Sequence, residues 1–473
     1  MTSSLVGYGY ANDNFLGSIN GASGVSAYDQ TTLYKYDAAF ARLKYVYDRK
    51  YILSLNGNRD GSSNFGPGRQ FGNFGSVGAG WIFTEEHFFK KTIPFLSYGK
   101  LSGSYGTSGS DGIAAYNYQA FWAPTGNVPA FQGSQPDAPQ NLYNPNYSWA
   151  LKKSLNTALD LGMFHDRVLL NATWYRDREG NQLGGYPLPG QTGFTQVLEN
   201  LPANVQNAGW EFSVTGNQVK TKAFSWSTTF NITFNRNKLL SFPDLAGSSY
   251  ASQYVLGKPV SEVIGIRSEG INPQTGLFQY LTGKGQLTNN PNYALVSQGG
   301  DAVPITDREV NYMGGFGNTF SYRHISLYIF FQFSSQQAPN YLSTVYGSYI
   351  PGIAINNEPV QVLNYWKNPG DHATFQKLTT NYGTTTAQAA ANFNGSSGSY
   401  SNDTYARLKT VALSYSFPDA YLRKVHIQGA KIYINAQNLL TLTNYKVADP
   451  ETFANYTGMP IQRTIVCGLN FNF

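Results

Sequence analysis

Cysteine, charge and long apolar runs are all scarce in this chain. Its one cysteine, Cys467, excludes an internal disulfide and a cysteine-based metal site. Charged residues are 13%, too few for a disordered chain, and a net charge of +6 over 473 residues is no nucleic-acid footprint. Mean hydropathy is −0.33, and no apolar run approaches the ~18 residues that a spanning helix needs. A coiled coil would draw about half its residues from Ala, Glu, Lys, Leu and Arg. What is plentiful instead is Gly (49), Tyr (35) and Phe (30), with aromatics at 15%. That composition points to an all-β protein.

The opening residues, from Met1 to Tyr10, contain no basic region, apolar core or small-residue cleavage site. Taken literally they predict a chain that is not exported; the alternative is that Met1 is not the natural start and the sequence is the C-terminal portion of something longer.

Strict alternation dominates the rest. From Phe224 to Asn235 nearly every even position is apolar and every odd one is Ser, Thr or Asn. A strand turns successive side chains to opposite faces, so such a segment separates an oily face from a wet one. The same stripe recurs at Val168, Leu170, Ala172 and Trp174, at Ile325, Leu327, Ile329, Phe331 and Phe333, and at Val411, Leu413, Tyr415 and Phe417. It returns in the last segment at Ile461, Ile465, Cys467, Leu469, Phe471 and Phe473. Strands are expected near 35–47, 50–60, 70–82, 97–108, 155–164, 167–177, 205–219, 223–235, 313–322, 325–334, 404–417, 428–437 and 461–473, with a fourteenth if residues 2–11 form one.

The links between them alternate. Asp48-Arg49, His165-Asp166, Lys220-Thr221-Lys222 and Arg323-His324 are tight, while 109–154, 178–204, 236–312, 335–403 and 438–460 are long. Short turns at one end and long loops at the other is the layout of an outer-membrane barrel. Eleven residues at ~3.3 Å each, tilted ~45°, rise about 26 Å, which matches the apolar band of such a barrel. Tyr45, Tyr47, Tyr51, Trp81, Phe83, Trp174 and Tyr175 fall near strand ends, where headgroup-level rings are expected.

Several motifs carry a resemblance. Tyr51 to Gly66 contains Arg59-Asp60-Gly61-Ser62-Ser63-Asn64-Phe65-Gly66, followed by Gly78-Ala79-Gly80-Trp81 and Glu85-Glu86. Tyr105-Gly106 leads to Gly109-Ser110-Asp111-Gly112. Then come Asn207-Ala208-Gly209-Trp210-Glu211, Asn235-Arg236-Asn237-Lys238, Tyr365-Trp366 with Pro369-Gly370-Asp371, and Tyr405-Ala406-Arg407-Leu408-Lys409. Asn435-Ala436-Gln437-Asn438-Leu439 and Asp449-Pro450-Glu451 close the series before the terminal Phe473. In order and spacing these resemble the SusC/RagA-like TonB-dependent transporters, over residues 45 to 473.

The resemblance implies the C-terminal 13–14 strands of an antiparallel transmembrane β-barrel of about 22, with signal, TonB-contacting segment and plug lacking a counterpart. It implies a Gram-negative outer-membrane location and import of glycans or oligopeptides. The implied partners are a SusD-like surface lipoprotein, the TonB complex, the lipid bilayer and the cargo, with no nucleic acid. The alternatives are a passive porin or adhesin barrel, and a secreted soluble β-sheet glycan-binding protein.

No catalytic constellation stands out. His87, His165, His324, His372 and His426 show no metal spacing. Asp301, Asp307, Asp371, Asp403 and Asp449 fall in expected loops, where Asp-rich stretches can hold Ca²⁺, but the D-x-[DN]-x-[DN]-G pattern is absent and loop polarity accounts for them. No cofactor is expected. The candidate ligand-binding residues are loop aromatics, Tyr116, Tyr118, Trp122, Tyr143 and Trp149, suited to stacking on sugars or gripping peptide side chains.

Overall fold

A computed structural model of the protein describes residues 2–112, 115–124, 129, 131–134, 136–353, 355–422, 427–447, 449–452 and 459–473. His426 lies outside the described residues. Thirteen strands form one antiparallel sheet in which every strand pairs with its neighbour in the chain. They are β1 (Tyr36–Tyr47), β2 (Tyr51–Ser62), β3 (Phe71–Trp81), β4 (Leu96–Ser110), β5 (Ala150–Met163), β6 (Val168–Pro187) and β7 (Gln196–Lys220). β8 (Phe224–Ser241), β9 (Tyr312–Tyr322), β10 (Ile325–Pro339), β11 (Tyr400–Ser416), β12 (Gly429–Thr443) and β13 (Thr464–Asn472) follow.

All thirteen expected strands are present, but four expectations about strands and loops need correction. Residues Thr2–Tyr8 do not join the sheet as a fourteenth strand; they pair with Gly24–Gln30 in a separate hairpin. The expected loop 178–204 is mostly strand, because β6 and β7 keep pairing to Pro187 and Gln196 across a bulge at Gly180/Gln182. The last strand begins at Thr464, and the Ile461 N–H is instead held by the Asp449 carboxylate (3.2 Å). Asp403 is strand rather than loop, paired with Gln336.

Register explains the sheet's two faces. One row runs Tyr47–Tyr51–Trp81–Leu101–Leu159–Ala172–Phe212–Ile232–Gly314–Phe333–Ala406–Leu442, apolar or glycine at almost every step. Lower on the same face, Trp226, Phe320, Leu327, Leu413, Ile434 and Cys467 continue it. On the opposite face Lys100, Asp160, Asn171, Ser213, Asn231, Gly315, Gln332, Arg407 and Thr441 form a row that is polar at every step but Gly315. A one-residue slip anywhere would exchange the two faces, so the alternation in the sequence fixes the pairing. Many of the apolar side chains are exposed, among them Leu43, Leu53, Leu55, Trp210, Ile434 and Phe471. Tyr175 departs from the expected ring belt: its hydroxyl donates to Asn235 (2.7 Å) on the polar face. Phe83 is buried against Trp81 and Phe89 rather than presented to the outside.

The tight turns use left-handed residues, at Asp48 and Arg49, at Phe164, His165 and Asp166, and at Arg323. No helix among the described residues is long and apolar enough to cross a membrane, a fact that says nothing about crossing by strands.

The largest dry core lies outside the sheet. Ile266, Phe278, Tyr280, Val345, Phe375 and Phe393 pack together from two separate long loops, 242–311 and 340–399. Burial pushes the Tyr280 hydroxyl upward in pKa, and it donates to the Ala389 carbonyl (2.6 Å) inside this cap.

Candidate functional site

The polar face is concave. Between β1 and β5 it forms a groove of about 530 Å³ lined by Arg42, Lys44, Ser54, Asn56, Lys100 and Asn156, among others. Glycines at Gly78 and Gly80 keep this wall low, and Lys100 pairs with Asp160 (3.5 Å). The wall is thus a wet, hydroxyl- and amide-rich surface with isolated charges, suited to contact a hydrophilic solute.

The segment after β12 folds back over this face. Arg407 points inward from β11, and its Nη2 donates to both Asp449 oxygens (2.8 and 2.8 Å) while Nη1 lies 3.0 Å from Glu451. Lys409 donates to Glu451 (2.6 and 2.8 Å). Burial works against the Asp449 carboxylate, but the Glu451 N–H, the Arg407 guanidinium and the Ile461 N–H together lower its pKa below the usual range. Asp403, four residues before Arg407 on the same face of β11, is fully buried, and among the described residues neither of its carboxylate oxygens is hydrogen-bonded. The Asp449-Pro450-Glu451 motif is therefore a latch that ties the loop to the inner wall.

The other motif residues also tie loops to strands. Ser62 donates to Asp111 (2.6 Å), Tyr34 donates to the same carboxylate (2.9 Å), and the Asn64 amide donates to the Asp111 carbonyl (3.1 Å). Ser63 accepts from the Lys35 N–H (2.9 Å), and Phe65 is buried against Tyr147 and Trp149. Arg59 lies over the Phe71 ring and donates to Asn73, Asp60 accepts from Asn58, and Gly61 lacks a Cβ where Phe71 packs.

Further along, Asn207 accepts from Asn237 (2.8 Å), and a Cβ on Gly209 would run into the Phe234 carbonyl. Glu211 faces the polar side opposite Thr173 and Thr233. Asn235 and the Asn237 N–H both hold Glu309 (2.9 and 2.6 Å), anchoring the loop before β9. Pro369 leads a turn in the cap where Gly370 has φ +99° and Asp371 accepts from the Lys367 and Asn368 N–H groups. Those N–H groups lower the Asp371 pKa. Asn438 has φ +56° and donates to the Gln462 carbonyl (3.2 Å); Phe473 is 83% exposed beside Phe471.

The five loop aromatics are not gathered into one cluster. Trp149 is committed to packing on Phe65 and Phe74, and its Nε1 donates to the Gln70 carbonyl (3.0 Å). Tyr118 packs over Gly66, and the Tyr116 hydroxyl accepts from the Leu33 N–H (3.1 Å). Trp122 (65%) and Tyr143 (57%) remain exposed. Asp301, one of the loop carboxylates, accepts from the Gly283 and Asn292 N–H groups (2.7 Å each). Among the described residues no group of three or more His, Cys, Asp or Glu is placed to hold a metal. The latch itself was missed at the sequence level; its signal was the pairing of an Arg-x-Lys strand with a downstream Asp-Pro-Glu.

A one-sheet wall with an apolar convex face and a polar concave one defines the class, a β-barrel of the outer-membrane type. The chain is similar to TonB-dependent receptor P3 of Formosa agariphila, 28% identical over 92% of this chain and 45% of that protein. It is similar to TonB-dependent receptor SusC of Bacteroides thetaiotaomicron, 25% identical over 92% of this chain and 43% of the relative. The RagAB peptide transporter shares the fold, with a TM-score of 0.78, 22% identity, and coverage of 96% of this chain and 49% of that one. No family model matches the chain. The chain is thus similar to TonB-dependent receptors, SusC among them, and it spans just under half the length of the curated relatives it matches.

Proposed function

We propose that this chain is the C-terminal wall of an outer-membrane importer of glycans or oligopeptides. The observation that carries the reading is the in-register separation of faces across thirteen strands, apolar on the convex side and polar on the concave one. In lipid only a closed barrel satisfies every backbone group, so the sheet's two edge strands, β1 and β13, are joined by further strands of a longer protein. A plug within that longer protein blocks the bore, and the TonB complex acts on it with energy from the proton gradient. A SusD-like lipoprotein covers the external cap and hands cargo inward. Exposed Trp122 and Tyr143 are among the loop aromatics free to touch cargo.

The likeness to receptors and to a peptide transporter supports import over catalysis. The test is uptake of labelled oligosaccharides and oligopeptides by cells with and without the gene. Uptake of one cargo class is expected to vanish both on deletion and on collapse of the proton gradient. Uptake that persists when the gradient is collapsed would instead establish a passive pore.

A further inference from the structure

The convex face carries a patch that neither transport nor packing uses. In β5–β8 the row Thr157–Trp174–Trp210–Phe234 is followed, two residues further toward the long-loop end, by Leu155–Arg176–Ala208–Arg236. The next row is Lys153–Arg178–Gln206–Lys238. Five cations therefore stand on three of these four adjacent strands, β5, β6 and β8, directly above an aromatic row. None of them forms an ion pair among the described residues.

The neighbouring carboxylates are turned to the other face or engaged. Asp177 pairs with Lys152 (2.6 Å), and Glu309, whose charge Arg236 feels, is held by Asn235 and Asn237. Arg236 donates to the carbonyls of Asn235 and Asn311, and Arg178 Nε donates to Gln206 (3.0 Å). The aromatic row itself continues beyond Phe234 through Tyr312, Ser335 and Thr404 on β9–β11, with no cation.

Height sets the partner. Counted from Val168 at the tight-turn end, Arg176 and Arg178 rise about 19 and 23 Å at ~3.3 Å per residue and ~45° tilt. That is the top of an apolar band about 25 Å tall, where hydrocarbon gives way to headgroups of the outer leaflet. Guanidinium groups grip phosphate oxygens in bidentate fashion, and a cation cluster at headgroup level attracts anionic lipid.

We propose that Lys153, Arg176, Arg178, Arg236 and Lys238 bind the phosphate groups of an outer-leaflet glycolipid, holding it against the aromatic row beneath. This rests on the membrane reading above. The site fixes the barrel's height and orientation in the bilayer through one sector of its wall.

The experiment uses the full-length protein extracted from outer membranes in detergent, with retained phosphorylated glycolipid quantified by mass spectrometry. The triple variant Arg176→Gln, Arg178→Gln, Arg236→Gln is expected to retain about tenfold less glycolipid, or lower still. Lys220→Gln with Lys222→Gln and Arg323→Gln, an equal loss of three charges at the tight-turn rim, should retain the wild-type amount. For wild type, rising ionic strength should strip the glycolipid, phosphatase-treated glycolipid should bind only at background, and excess inorganic phosphate should fail to displace the intact lipid.

Equal retention by the folded triple variant, or an indifference to salt, overturns the proposal. Displacement by inorganic phosphate makes the patch a general anion site and also overturns it. If the triple variant does not fold, the Arg→Lys version must keep the lipid and the salt response of wild type decides. Quenching of Trp174 and Trp210 by brominated phospholipid tests the membrane reading separately: without it, the bilayer placement fails first.

Discussion

Arg407 shows what a single side chain does in this wall. It is 1% exposed, it points into the bore, and its guanidinium is neutralised by Asp449 and Glu451 from the returning loop. Replacing it with Met leaves a buried carboxylate without its cation, a loss of about 3 kcal/mol. Arg407→Met should therefore lower the denaturant midpoint of the refolded protein and expose residues 444–452 to protease. Acid should act in the same direction. A carboxylate with a lowered pKa stabilises the folded state above its unfolded value, and that contribution is lost as pH falls through the folded value. Exchange protection of the loop after β12 should thus hold from neutrality to about pH 4 and fall below it. An unchanged protease pattern at acid pH would show that the latch is not electrostatic.

At the scale of elements, the barrel strands and the cap fold by different rules. The strands form because Ser, Thr and Asn alternate with aliphatic and aromatic residues, so each one declares its own inner and outer side. The cap forms because Phe278, Tyr346, Phe375 and Phe393, drawn from loops about a hundred residues apart, stack into one core. Phe278→Ala should cost the cap about 3–5 kcal/mol. Hydrogen exchange should then rise across 262–307 and 341–399, while the gel shift of the folded barrel on heating is unchanged. A concerted loss of both would mean that cap and wall form one cooperative unit.

This difference explains what was legible from sequence. Phe224 to Asn235 announces a strand by itself, whereas the Arg59-to-Gly66 run reads only as a motif of the resemblance, and its knot of contacts around Asp111 is visible only in the structure. The cap core has no periodicity to read, because its contacts are set by chain folding over long separations. The extended β6–β7 hairpin was read as loop because Gly180, Gly184, Gly185 and Pro187 break the alternation while the backbone pairing continues. Tyr175 and Asp403 were misplaced for a related reason: residue type suggested a rim or a loop, and only register decides the face.

On the scale of the whole molecule, the sheet has two edges with partners on one side only, β1 and β13. Each unpaired backbone group in hydrocarbon costs several kcal/mol, so the two edges together cost tens of kcal/mol. Residues 1–473 expressed alone should fail to give a heat-resistant monomeric barrel in bilayers, and co-expression with the strands that complete the wall should restore one. A stable isolated monomer would contradict the completed-wall proposal. The last strand also carries the chain's one cysteine, Cys467, exposed on the convex face opposite Ile434. Its thiol is a native reporter handle. In an inserted barrel, charged alkylating reagents confined to water are excluded from it, while small oil-soluble maleimides reach it through the acyl chains. The ratio of the two labelling rates reads out correct assembly without a single engineered residue.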